Sequence, residues 1–369
     1  MSDLYIVDQP ALTAFCASLH GVSWLALDTE FVREQTYYPQ LGLIQIASAD
    51  QIASIDPLAL PSLDPLLERL YDPTIIKLLH AGQQDLEIFF HRCGAVPAPI
   101  FDTQLAALVL GQGEQIGYAP LVRQMLGVEL DKAHTRADWR HRPLEPEWLR
   151  YAADDVRYLP ELYRQQRAAL EERHWLDALA EDFQRLCHPD RYRVQPWESW
   201  RRIREHPRLH GVQRSVLRAL AAWREEQASL HDRPRRWILD DATLLDLARR
   251  MPKTFEELQL IRSLPLVMAQ QHGETLLARI ATARAEPAER WPTRVSRAPL
   301  TSDQAVRVDH LLTQIAAQAN QHHIPLRSVT NRKEVERWLA GEDSPLCHGW
   351  RAALIGQELQ ASLCSDPRC

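Results

Sequence analysis

Apolar residues in the first half of the chain gather in short, partly β-branched runs: Trp24 to Leu27, Leu41 to Ala47, Ile52 to Ile55 and Ile75 to Leu79. Runs of that length, separated by Pro, Gly and Asp, predict strands. Between and after them, helical spacing is found near residues 62–71, 83–92, 103–110, 118–127 and 147–172. Strands with helices set among them predict an α/β domain. From about residue 200 the strand signal fades into helical periodicity, broken by a stretch with Pro287, Pro292 and Pro299 that reads as a linker. The two helical pieces resemble each other: Pro234 through Asp240 leads into an apolar-periodic helix, and 91 residues later Pro325 through Asn331 does the same. Asp240 and Asn331 fall at equivalent N-cap positions, and Asn331 with Glu334 has capping-box spacing. A duplicated small helical module is the simplest account.

At 369 residues the chain exceeds what one core usually supports. A hydrophobic share of 45% with a charged share of 25% excludes a disordered or collagen-like chain. No window approaches a spanning helix, and Asp3 stands where a signal peptide would be basic, so a cytoplasmic place is expected. The six cysteines are scattered without a zinc-like spacing and are expected as thiols. Charge is uneven. Residues 1–200 hold 29 acidic and 17 basic side chains, whereas residues 201–300 hold 12 and 19, so the first helical module carries the positive charge. Nearly all of that charge is arginine, whose planar fork suits phosphates; a polyanion footprint and a solvated helix face both fit it.

The sharpest chemical signal closes the first long strand. Asp28 and Glu30 alternate onto one face, after apolar residues that belong in the middle of a sheet. Crowded carboxylates without an adjacent cation call for a divalent metal. Asp85 follows a strand and a Gly turn, in the first turn of a helix, where it can reach the same crevice. Tyr151 and Asp155, at i and i+4, share a helix face, and Asp154 is turned about 100° away.

With these motifs in order, Asp28-Thr29-Glu30-Phe31, His80 through Leu86 and Tyr151 through Val156, the chain resembles the DEDD exonucleases with a tyrosine in the third motif, the ribonuclease D family. Thr36 through Ile46 and Asp131 through Leu144 are similar to that family's connections. The repeated helical pieces resemble the HRDC module, which the family carries twice. The resemblance implies an α/β ribonuclease H-like exonuclease domain over 1–195, a mixed sheet flanked by helices, then all-α HRDC domains over 207–286 and 300–369.

It further implies a hydrolase that trims RNA from the 3′ end, releasing 5′-mononucleotides with two Mg²⁺ or Mn²⁺ ions, transfer RNA precursors being the typical substrate. Asp28 would bridge both ions, Glu30 and Asp155 would complete the site that holds the nucleophilic water, Asp85 would serve the second, and Tyr151 would orient that water or accept its proton. Phe31 and the backbone near Thr29 are candidates for packing the terminal nucleotide, although alternation puts Phe31 opposite Glu30, where a core aromatic fits equally. Lys132, Arg136 and Arg140 are candidate phosphate contacts or plain surface charge. A DNA exonuclease of the same chemistry and a silent nucleic-acid-binding protein are the competing readings. No obligate protein partner is expected.

Other residues read as structural. Asp102 caps a helix, Asp154 is solvated or structural, and His80 is hydrogen-bonded near the core. His322 and His323 lack zinc partners, and Trp223, Trp237 and Trp338 fall in apolar stripes suited to core packing. A cut near residue 196 is expected to leave a folded nuclease core.

Overall fold

The computed structural model describes residues 2–131, 137–293 and 300–364, and the chain divides into two compact units. The first unit takes Met1–Val32, Leu41–Tyr192 and Pro299–Cys369; the second takes Arg33–Gln40 and Arg193–Ala298.

In the first unit the chain runs β1 (Ser2–Ile6), α1 (Gln9–Ser18), β2 (Trp24–Val32), β3 (Gln40–Ala47), β4 (Gln51–Ile55), α2 (Asp64–Leu70), β5 (Ile76–Leu79), α3 (Gln83–Cys93), β6 (Ile100–Asp102) and α4 (Thr103–Val109). It continues through α5 (Tyr118–Leu126), α6 (Pro146–Arg157), α7 (Leu159–Glu172) and α8 (Leu176–Leu186). The six strands form one sheet in the order β1-β4-β3-β2-β5-β6, with β3 antiparallel to β4 and the pairs β1/β4, β2/β5 and β5/β6 parallel. The expected mixed sheet flanked by helices is therefore present. Leu25, Ala26 and Leu27 of β2 are fully buried in its middle, which carries the following carboxylates to the edge of the core.

Three elements escape the sequence pattern for physical reasons. At β1 the apolar residues Leu4 to Val7 run without the alternation of a half-buried strand, and only Ile6 is deeply buried while Leu4 and Tyr5 are exposed at the sheet edge. β6 has three residues, too few to show a period. The single helix read over 147–172 is two, because Pro160 in the first turn of α7 has no N–H with which to continue the hydrogen-bond ladder from α6.

In the second unit, α9 (Gly211–Leu230) is the central helix, buried by α10 (Arg235–Ile238), α11 (Asp241–Arg250), α12 (Phe255–Gln259) and α13 (Leu266–Ala285) around Val216, Leu220, Trp223 and Leu276. The last helices, α14 (Ser302–Gln321), α15 (Leu326–Val329), α16 (Arg332–Leu339) and α17 (Gly349–Cys364), belong to the first unit. There α14, α15 and α16 start 91 residues after α9, α10 and α11, the periodicity read from the sequence. Asp240 and Asn331 both cap as expected, accepting from Thr243 and Glu334 N–H. Val308, Leu311, Ile315, Trp350 and Leu354 pack into the same core as the sheet's Leu25 and Ile44. A cut near residue 196 therefore strips part of this core rather than sparing it. Trp237 also departs from expectation: Trp223 is buried, but Trp237 is 48% exposed, because the four-residue α10 is too short to turn every apolar side chain inward.

Candidate active site

At the end of β2 the Asp28 and Glu30 carboxylates meet that of Asp155 from α6, with ligand oxygens all within 4.8 Å of one another. Among the described residues no Lys, Arg or His pairs with any of the three. Asp85, in the first turn of α3 and 7% exposed, stands beside them, and Thr29 Oγ1 donates to its Oδ1 at 2.5 Å. The buried Thr29 hydroxyl is thus committed to Asp85, which leaves its backbone as the part expected to meet the nucleotide. Phe31 is partly buried and belongs to no apolar cluster. Lys132 and Arg136 lie outside the described residues, while Arg140 is exposed.

Several devices aim these groups. Ala81 adopts a left-handed φ of 55° in the turn before α3, a costly state for a side chain with Cβ. Asp102 holds that turn, accepting from Ala81 N–H at 3.2 Å and Gly82 N–H at 2.9 Å while it caps α4 through Gln104 and Leu105 N–H. A Cβ at Gly82 would lie 2.7 Å from Leu79 Cβ, so glycine is what lets α3 enter this close to β5. His80 Nε2 bonds the Ile116 carbonyl at 3.0 Å and Nδ1 faces the Thr103 hydroxyl at 2.9 Å, the hydrogen-bonded role expected of it.

Tyr151 packs with Trp139, 6.3 Å between ring centroids at 29°. The Trp139 segment is clamped on β3: a Cβ at Gly42 would fall 2.7 Å from Trp139 O, and Arg142 donates to the carbonyls of Trp139 and Gly42, both at 2.7 Å. Arg142 also forks onto buried Asp56 at 2.6 and 2.7 Å. Sequence reasoning quoted Arg142 but gave it no role, because its partners come from β3 and the end of β4. Asp154 turns away as expected, onto Arg157 at 2.7 Å. Tyr118, which was also missed, donates to the Asp154 carbonyl at 3.0 Å and accepts from Tyr158 N–H at 3.2 Å, fixing the break between α6 and α7. A cleft of about 490 Å³ opens at this point, lined by Tyr118, Leu130, Arg150, Tyr151 and Asp155. Exposed Arg150 lines it beside the acidic Asp131, Glu147 and Asp154.

Electrostatically the cluster is unbalanced. Burial, then the neighbouring carboxylates, push Asp28 well above its ordinary value, Glu30 to about 9 and Asp155 to about 7. Burial lifts Asp85 to about 6 against the bond from Thr29. Burial and then Asp155, Glu30 and Asp28 raise the Tyr151 phenol, so it is a hydroxyl donor at neutral pH. Oxygen-only donors this close fit hard divalent cations, whose charge would let the carboxylates ionise together.

A 3′-5′ exonuclease family model matches residues 5–171 and an HRDC domain model matches residues 213–280. The chain is 38% identical over 372 residues to a ribonuclease D of Granulibacter bethesdensis, covering 98% of this chain and 92% of that one. It is 39% identical to the Zymomonas mobilis ribonuclease D, with 96% and 92% covered. The crystal structure of Escherichia coli RNase D, described as an exoribonuclease involved in structured RNA processing, is similar over 100% of both chains at 32% identity and a TM-score of 0.86.

Proposed function

The chain belongs to the ribonuclease D family and is a 3′-to-5′ exoribonuclease, a hydrolase with an HRDC domain and an acidic site for divalent metal ions, and from that premise we propose how its residues divide the work. Asp28, Glu30 and Asp155 would hold two Mg²⁺ or Mn²⁺ ions together with Asp85, and Tyr151 would make it the tyrosine subtype. The juxtaposition of the three unpaired carboxylates supports this reading above all else.

Bound cations of this kind activate a water and relieve charge on the leaving oxygen. The chain's own groups do the rest. Thr29 orients Asp85. The Tyr151 hydroxyl, its ring held by Trp139, aligns the attacking water, and Arg150 offers a charge-assisted contact to a phosphate in the cleft. Substrates would be structured RNAs with 3′ tails, transfer RNA precursors among them, met in the cytoplasm, with release of 5′-mononucleotides. Residues 1–195 would form the exonuclease domain, 207–286 the first HRDC domain and 300–369 a second; the 91-residue offset of three helices supports the duplication. Incubation with matched labelled RNA and DNA oligonucleotides, with EDTA, Mg²⁺ or Mn²⁺, tests the assignment. Release of mononucleotides from RNA only when a cation is present is expected, and full turnover in EDTA would overturn the metal reading.

A further inference from the structure

The loop that follows β2 is held by the helical module of the second unit, to which residues Arg33–Gln40 belong. Asp232 Oδ1 accepts from two successive backbone amides, Tyr37 N–H at 3.0 Å and Tyr38 N–H at 2.9 Å. Two bonds from adjacent peptides to one carboxylate oxygen fix how the loop is rotated as well as where it lies. Asp232 itself sits at a left-handed φ of 47° in the turn that ends α9, a conformation aspartate tolerates better than most residues.

Beside it, Tyr37 is 3% exposed and donates its hydroxyl to Glu225, which is 1% exposed. Arg235 closes the set: Nε and Nη2 donate to the two Glu225 oxygens at 2.6 and 2.5 Å, Nη2 reaches the Tyr37 hydroxyl at 3.2 Å, and its guanidinium lies 4.7 Å from the Tyr37 ring centroid. A buried ion pair adds little net stability over apolar packing, and its best-attested use is to fix a register. An interlocked Tyr-Glu-Arg set with a second carboxylate on the neighbouring backbone is built for placement.

The segment being placed is the direct continuation of the catalytic strand. β2 pairs with β5 through Trp24, Leu25 and Ala26, and Leu25 to Leu27 fill the core. Asp28, Glu30, Phe31 and Val32 are only partly buried, and neither Phe31 nor Val32 joins an apolar cluster. Apolar packing thus holds Leu25 to Leu27, the neighbouring β3 and the Thr29–Asp85 bond support the strand around its carboxylates, and Val32 leads straight into the clamped loop. We infer that Asp232, Glu225 and Arg235 are positioning residues for the hydrolytic site, acting through the Arg33–Gln40 loop on the placement of Asp28 and Glu30. This assigns the basic helical module a role in catalysis separate from any grip on RNA, and it rests on the metal-site reading above.

The full-length protein tests it with a labelled RNA trinucleotide, a substrate too short to report on an extended RNA-binding surface, and with Mn²⁺ binding followed by titration calorimetry. Asp232→Ala and Glu225→Gln are expected to weaken Mn²⁺ binding about fivefold or more and to lower kcat about tenfold, with KM within about twofold, since a misplacement near 1 Å can cost about 10²-fold. Tyr37→Phe removes one hydroxyl from the set and should shift both readouts about twofold to fivefold the same way. It carries the test if the other variants do not fold. Mn²⁺ affinity and kcat within error of wild type in a folded variant would overturn the inference alone. A wild-type protein that neither binds Mn²⁺ nor cleaves the trinucleotide would overturn the metal-site reading and this inference with it.

Discussion

The Thr29 hydroxyl donates to the Asp85 carboxylate at 2.5 Å, so the residue between the two acidic positions of β2 orients the carboxylate delivered by α3. This bond ties the strand and helix contributions to the site into one unit. Thr29→Val keeps the shape and removes the donor. A fall in kcat of about 10-fold to 10²-fold is expected, with little change in melting temperature and with recovery in Thr29→Ser. Steady-state kinetics on a short RNA read it, and wild-type turnover in the valine variant would detach the Asp85 orientation from catalysis.

Metal removal should be decisive because, among the described residues, no basic side chain pairs with Asp28, Glu30 or Asp155. EDTA should abolish hydrolysis, with Mg²⁺ or Mn²⁺ restoring it, and Asp28→Asn should be the most damaging carboxylate change. Asp154→Asn is expected to be mild, since that side chain is spent on Arg157, which also reaches Asp3 at 2.6 Å. Equal losses at Asp154 and Asp155 would contradict the helix register.

Arg142 gives a pH test of the segment that supports Tyr151. Burial alone would raise the Asp56 carboxyl, but bonds from Arg142, Leu58 N–H and Tyr5 hold it below its ordinary value. A depressed carboxyl contributes stability above its unfolded pKa of about 3.9 and loses it as pH falls through the folded value. Arg142→Gln should cost roughly 2 to 4 kcal/mol near neutrality, less than for a fully buried pair because the guanidinium is a quarter exposed. The gap in melting temperature between wild type and variant should shrink as pH drops below about 4. A gap independent of pH would remove the ion pair from the explanation.

Much of the site was legible because its chemistry follows local periods. Alternation put Asp28 and Glu30 together, and the i, i+4 spacing put Tyr151 over Asp155. What the pattern missed depends on partners distant in the chain. Thr29 finds Asp85, Arg142 finds Asp56 and Gly42, and Tyr118 finds the Asp154 carbonyl, none at a local spacing. Trp237 was misread for the opposite reason: a helical stripe implies burial only where the helix is long enough to have an inner face, and α10 has four residues.

The shared core sets an expectation for truncation. A fragment ending near residue 196 lacks Val308, Leu311, Ile315 and Trp350, which belong to the same core cluster as the sheet's buried residues, and it uncovers α8, where Asp182 accepts from Trp350 N–H. Loss of several large buried side chains costs about 2 to 5 kcal/mol each. The fragment should therefore be poorly soluble or melt well below the full chain. Deleting only 300–369 should do the same, whereas equal melting temperatures would show that the last helices contribute little to this core.

The last test separates two roles for Tyr151. Its hydroxyl shares a helix face with Asp155, and Trp139 packs its ring, so Tyr151→Phe preserves packing and metal ligands while removing one polar contact. Mn²⁺ binding should survive. Base assistance is typically worth about 10² to 10⁴ in rate and lost alignment of a nucleophile about 10², so the size of the fall does not distinguish the roles. The pH profile does. Burial and the neighbouring carboxylates, Asp155 first, raise the phenol, which keeps its proton at neutral pH and favours orientation over base catalysis. The variant should therefore give a lower curve of unchanged shape. An alkaline limb that disappears in the variant would make the phenolate the base, and unchanged turnover would remove Tyr151 from the reaction altogether.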